Sequence, residues 1–159
     1  MSARTKARKR ALDILFQADV RVEEPGIILA AEAKRAASEP SRESSWLYAR
    51  EIVDGVIDHR DDIDEQIATY SRDWTVARMP AVDRAVLRIA IWEILYNDEV
   101  PAAVAIDEGR DARERVLHRR VRLLRERGPR PRRTHTVTRV AHGNVRRTLE
   151  RAFQARVGG

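Results

Sequence analysis

Between Pro80 and Asn97 the sequence writes a helix that is apolar on most of its circumference. Val82, Ala85, Val86, Ile89 and Ala90 form one stripe at helical spacing, and Leu87, Ile91, Ile94 and Leu95 add a second beside it. Such a helix cannot lie on a surface, so it must sit centrally between layers of other elements. Pro80 suits its first turn, where a missing N–H costs nothing, and Asn97-Asp98-Glu99 closes it. Asp83, Arg84, Arg88 and Glu93 are its polar exceptions. Ion pairs within the helix are the plain explanation for Arg88, and contact with a partner protein is the sharper one for Asp83 and Arg84.

The segments around it are helical as well. In residues 4–22, Ala7, Ala11, Ile14, Leu15, Ala18 and Val22 recur at three- and four-residue steps. Pro25-Gly26 ends that segment, an Ala-rich helix is expected over 27–37, and Ser38-Glu39-Pro40-Ser41 makes a loop. One longer helix is predicted over 43–70, with Leu47, Ile52, Val56, Ile63 and Ile67 inside and Asp54, Asp58, Asp62 and Glu65 on a wet outer row. Val100-Pro101 opens a further apolar helix, 102–106. No alternating strand pattern appears before residue 109, so the expected class is all-α: a helical bundle.

At Glu108/Gly109 the composition changes within one residue. Residues 1–108 hold 15 Lys+Arg against 21 Asp+Glu and every lysine; residues 109–159 hold 16 Arg, no Lys and 4 acids. The basic character therefore belongs almost wholly to the second part. The 159 residues give room for one domain of ordinary size, which excludes a second catalytic domain. No run of about 20 apolar residues is present, and the expectation is a cytoplasmic, soluble protein with no membrane partner. The absence of cysteine excludes disulfides, thiolate metal sites and a Cys nucleophile.

The side chains that carry binding chemistry are basic and aromatic. Arg4, Lys6, Arg8, Lys9 and Arg10 crowd the first turns of the first helix, where cations oppose the macrodipole. Folding alone does not explain them, whereas contact with RNA phosphates does. Trp74, in the loop before Pro80, is an aromatic candidate for a partner interface, while Trp92 belongs to the core; Trp46, Tyr70 and Tyr96 are further aromatics able to stack on bases. Asp58-His59-Arg60-Asp61-Asp62 reads as a solvated helix face, because no second imidazole and no Gly-rich phosphate loop accompanies it. Ser44 and Ser45 read as helix-start residues. No catalytic residue, metal site or cofactor is expected, and the chain reads as a non-enzyme.

Two stretches carry a resemblance. MPAVDRAVLRIAIWEILYNDEVPAAVAIDE, residues 79–108, resembles the core of the NusB-type transcription antitermination factors, and KARKRALDILFQADV, residues 6–20, resembles their first helix. Asp83-Arg84 before an apolar helix, Glu93 within it, Val100-Pro101 and Ile106-Asp107-Glu108 are the specific features. The resemblance implies a bundle of two packed helical subdomains. It also implies binding of boxA-type RNA together with the ribosomal protein NusE, action on the elongating RNA polymerase, notably on rRNA operons, and a possible homodimer. The alternative is the NusB-like RNA-binding domain of an rRNA cytosine methyltransferase, which would need a methyl-donor domain and a catalytic cysteine. A third reading is a basic structural protein in which the tail dominates.

After Asp107-Glu108 the family pattern continues to a Phe-Val-Asn-Gly-Val-Leu type ending, and this chain departs from it. Read one nucleotide out of register, codons allowed by the tail spell AETLAKEYSTDESGFFVNGVLGR. A frameshift near the Gly109 codon of a GC-rich gene would also explain arginine without lysine. The expected organisation is then an incomplete helical domain, 1–108, followed by an out-of-frame, partly disordered tail, 109–159. Val116, Leu117, Val121 and Leu124 still space helically, and the 128–133 run, Gly-Pro-Arg-Pro-Arg-Arg, would be a polybasic arm. With its closing helices missing, the domain is expected to leave residues 85–95 and 102–106 without partners and to be poorly stable.

Overall fold

The computed structural model describes residues 2–71, 74–127 and 145–154, and only the backbone of residues 40 and 116–127. The helices are α1 (Ala3–Arg21), α2 (Pro25–Ala37), α3 (Glu43–Asp58), α4 (Arg60–Tyr70), α5 (Ala81–Tyr96), α6 (Ala102–Arg127) and α7 (residues 145–154). Among the described residues there is no strand. α5 lies at the centre, packed against α1, α3, α4 and α6, while α2 closes over α1 and α3. All residues of α5 from Val82 to Ile94 are buried except Arg84, as its two apolar stripes require.

Local chemistry sets the helix ends. The Ser2 hydroxyl caps α1 by accepting the Thr5 N–H at 3.0 Å. Pro25 begins α2 at its first position. Pro80 stands just ahead of α5, at its N-cap and not inside its first turn, and its carbonyl accepts the Arg84 N–H at 3.0 Å. Gly55 in α3 admits a close approach: a Cβ there would meet Trp92 Nε1 at 2.1 Å. The indole of Trp92 thus fills the space that any other residue at 55 would need.

Three expectations are corrected. The single helix over 43–70 is two helices that meet at His59, whose φ of −112° and ψ of 20° turn the chain. The ladder survives the bend, since the His59 N–H reaches Gly55 O at 3.1 Å and the His59 carbonyl accepts from Ile63 N at 2.9 Å. No Pro or Gly marks the bend, so only tertiary packing decides it. Leu47, expected inside, is 60% exposed. It lies five residues before Ile52, about 140° around the helix at 3.6 residues per turn, and Ser45, Ala49, Ile52, Val53 and Val56 take the inner face instead.

The third correction concerns the faces expected to stand open. The compositional border Glu108/Gly109 falls inside α6, which continues unbroken to Arg127. Ala105, Gly109 and Arg113 are buried along one face of α6, and Val145, Leu149 and Ala152 of α7 are buried with them. A Cβ on Gly109 would lie 3.2 Å from Leu149 Cδ1 and 3.3 Å from Ala90 Cβ, so this glycine marks where α5, α6 and α7 converge. α7 is further tied to the end of α4: Ser71 and Thr148 share a hydroxyl hydrogen bond of 2.9 Å, and Arg151 Nη1 donates to Tyr70 O at 2.9 Å. The side chains of Val116, Leu117, Val121 and Leu124, and the whole 128–133 run, lie outside the described residues.

Val22 caps α1 with φ 56° and ψ 43°, left-handed and unfavourable for a β-branched residue by about 1–2 kcal/mol. It is 92% exposed, so its side chain contributes almost no packing. Val22→Gly is therefore expected to stabilise the chain by about 1 kcal/mol, seen as a higher midpoint in thermal unfolding; a lower midpoint would contradict the strain.

Candidate nucleic-acid interface

The five basic residues at the start of α1 divide between two faces. Arg8 points inward and is only 5% exposed. Its Nε donates to both carboxylate oxygens of Glu93 on α5, at 2.9 and 3.0 Å, and its Nη1 lies 3.9 Å from Glu108 Oε1 on α6. Glu93, 1% exposed, also accepts the Tyr48 hydroxyl at 2.5 Å, and Asn97 Nδ2 donates to that hydroxyl oxygen at 3.2 Å. Burial first, and then the hydrogen bond to Glu93 and its charge, push the Tyr48 pKa up, so the phenol stays protonated and keeps donating. Arg4 shares this edge: it pairs with Glu99 at 3.0 Å, and its guanidinium stands 5.0 Å from the centre of the Tyr48 ring. Thr5 adds a hydrogen bond to Glu108 Oε1 at 3.1 Å.

Lys6, Lys9 and Arg10 face the other way. Together with Asp13, Ile14 and Gln17 they form one wall of a groove of about 470 Å³, whose other walls are Glu32 of α2 and Arg42 and Trp46 at the start of α3. Among the described residues, none of these three cations has a carboxylate partner within ion-pair distance. Arg42, by contrast, is paired with Glu39, and Glu32 holds Arg35 at 2.5 Å. The groove therefore presents three cations with no carboxylate partner among the described residues beside an indole, which suits a polyanion that also carries flat apolar groups.

The residues expected to meet a protein partner lie apart from this groove. Asp83, at 1% exposure, is turned into the core and held by the Arg113 guanidinium of α6, so its carboxylate faces no solvent. Arg84 donates to Asp19 Oδ2 at 2.7 Å and to the carbonyls of Val76 and Met79 at 2.9 and 3.3 Å, which fixes the loop ahead of α5. Trp74 stands in that loop, half-buried against the core. Arg88 pairs not within its own helix but with Asp64 of α4, through two bonds of 2.8 Å, and with Asp19 of α1 at 3.4 Å. Position alone in the sequence gives no sign of these cross-helix partners. His59 stacks on Tyr96, ring centres 3.9 Å apart, and among the described residues no group of three or more His, Asp or Glu is placed to hold a metal.

Sequence reasoning missed the rest of the groove, Asp13, Gln17 and Arg42. A signal existed: residues 6, 9, 10, 13 and 17 recur at helical spacing, a second stripe alongside the buried one.

Comparison with known proteins places this geometry. The family model described as "NusB family" matches residues 5–116. The transcription antitermination protein NusB of Leifsonia xyli subsp. xyli is 69% identical over 112 residues, covering 70% of this chain and 78% of that protein. Its counterpart in Clavibacter sepedonicus is 64% identical over 111 residues, covering 70% and 81%. A solved structure of the antitermination factors NusB and NusE in complex with dsRNA superposes with a TM-score of 0.68 at 20% identity, over 98% of each chain, and so shares the fold.

The buried pair generates a test of how far the fold depends on residues beyond Gly109. Arg113→Ala would leave the Asp83 carboxylate buried and unpaired, and a loss of about 3–5 kcal/mol is expected. The double variant Asp83→Asn, Arg113→Met should lose clearly less. Denaturant unfolding measures both, and an Arg113→Ala protein as stable as the parent would show that α6 does not dock where the structure puts it.

Proposed function

This chain belongs to the NusB family, and on that basis we propose that it is a transcription antitermination factor that binds boxA-type RNA together with the ribosomal protein NusE and acts on the elongating RNA polymerase, notably on rRNA operons. The observation that carries the RNA-binding reading is the set of cations Lys6, Lys9 and half-buried Arg10 on one face of α1, none with a carboxylate partner among the described residues. RNA phosphates are the partner such a face attracts. Arg4, paired with Glu99, is the proposed RNA contact on the other edge of α1, while Arg8 works from beneath, fixing α1 on α5 through Glu93. Trp74 is the proposed contact for the protein partner, held in position by the bonds from Arg84 to the carbonyls of Val76 and Met79. The relatives named as antitermination proteins, matched over 78% and 81% of their own lengths, favour this reading over a methyltransferase domain. The proposed protein is cytoplasmic and catalyses no reaction; among the described residues no helix is long and apolar enough to cross a membrane.

The same reading extends to the tail. The family match ends at residue 116, shortly beyond the border at Gly109 after which 16 Arg face only 4 acids. A reading-frame change near that codon accounts for both, with residues 1–108 as the family domain's own sequence. Determining the coding DNA tests this: removal of one base must restore a family ending, and failure to do so removes the idea.

RNA binding is tested by anisotropy titrations of a labelled boxA-type single strand across a salt series. Replacing Lys6, Lys9 and Arg10 with glutamine should weaken binding and flatten the log K against log salt slope by roughly 0.7 for each phosphate that is no longer neutralised. The 16 arginines after Gly109 remain in both proteins, so the difference isolates α1. An unchanged slope would take RNA away from this face.

A further inference from the structure

The groove between α1, α2 and α3 holds more than charge. We propose that it seats one unpaired nucleotide of the bound RNA, with its base stacked on the Trp46 indole and its flanking phosphates on Lys6 and Lys9. This rests on the RNA-binding reading above and specifies what that face recognises.

Three observations converge. At about 470 Å³ the groove falls within the roughly 300–1,000 Å³ range of small-ligand sites, whereas phosphate contact alone needs no concavity. Trp46 is half-buried: it packs on the core with part of its surface and lines the groove with another, so its position is fixed before any ligand arrives. Opposite it, Asp13 and Gln17 sit on the α1 wall one turn apart, with Lys6, Lys9 and Arg10 in the turns before them. The Gln17 amide offers both a donor and an acceptor to the edge of a base. Charge at one end of the wall, hydrogen-bonding groups at the other and an aromatic plane across from both match the phosphate, edge and face of a nucleotide.

A base inside a duplex keeps its faces stacked on its neighbours, so the occupant is an unpaired nucleotide in a loop, bulge or single strand. The free-standing cations separate this groove from the Arg8–Glu93 edge, where every charge is already matched and a phosphate would have to displace Glu99 to reach Arg4.

The test compares the full chain with Trp46→Ala and Trp46→Phe on a short labelled single-stranded RNA, and on copies of it carrying one abasic site at each position in turn. Trp46→Ala should weaken binding to the intact strand roughly fivefold or more, the loss of one stacked base. Trp46→Phe should recover most of that loss, and the salt slope should not change. At one abasic position the wild type should fall to the affinity of Trp46→Ala, and the variant should lose nothing further. Equal affinities of wild type and Trp46→Ala for the intact strand would overturn the proposal. So would a deficit in the variant that persists at every abasic position, which would mark Trp46 as a packing residue only. Binding by the wild type that is insensitive to Trp46 leaves the functional reading standing, whereas no binding by the wild type removes both.

Discussion

A helix buried on all sides has nowhere to put a charge, and α5 carries four. Asp83, Arg84, Arg88 and Glu93 resolve that conflict by each reaching a partner on another element: Asp83 to Arg113 of α6, Arg84 to Asp19 of α1, Arg88 to Asp64 of α4 and again Asp19, and Glu93 to Arg8 of α1 and Tyr48 of α3. Apolar contacts tolerate rotation and sliding, but these pairs do not. A misplaced neighbour would leave a charge stranded at a cost of about 3–5 kcal/mol, a large part of a domain's total stability. The pairs therefore set which face each surrounding helix turns toward α5.

That constraint explains why the basic residues of α1 behave differently although they adjoin in sequence. Arg8 follows the buried residues Ala11, Leu15 and Ala18 in helical phase, and Glu93 waits for it, so its charge is consumed inside. Lys6, Lys9 and Arg10 fall about 100–160° around the helix from it, over the groove. Anchoring Arg8 on α5 is what presents Lys6, Lys9 and Arg10 outward. The surface proposed for RNA is thus a consequence of core electrostatics, and loss of Arg8 would disturb it without Arg8 touching a phosphate.

Much of this was legible in the sequence. The apolar circumference of residues 82–95 dictated a central helix, and the family segments dictated the fold class. The phase of Arg8 relative to Ala7 and Ala11 was also there to be read, but a cation in an apolar stripe becomes interpretable only when its carboxylate is known, and Glu93 is 85 residues away. Distance in the chain likewise hid Arg113 from Asp83, which made Asp83 look available to a partner. The bend at His59 leaves no mark because neither side chain chemistry nor glycine produces it; the same inner positions, Ile52, Val56, Ile63 and Ile67, serve a straight or a bent pair equally. Trp46 was visible only as one aromatic among several, since nothing local says which indole faces a groove.

The arginine-rich part shows why composition is a poor guide to whether residues belong to a core. By charge, residues after Gly109 resemble a solvated arm, yet what α5 requires of its last neighbours is narrow: a small residue where the helices cross, an apolar residue every third or fourth position, and one cation for Asp83. Gly109 and Arg113 meet the first and last demands on α6, and Val145, Leu149 and Ala152 meet the second on α7. Those demands fix five positions and leave the rest of the surface free, so a sequence of very different composition can still close the bundle. A change of reading frame and a docked end are therefore compatible: the frame decides the composition, while a few correctly spaced side chains decide the packing.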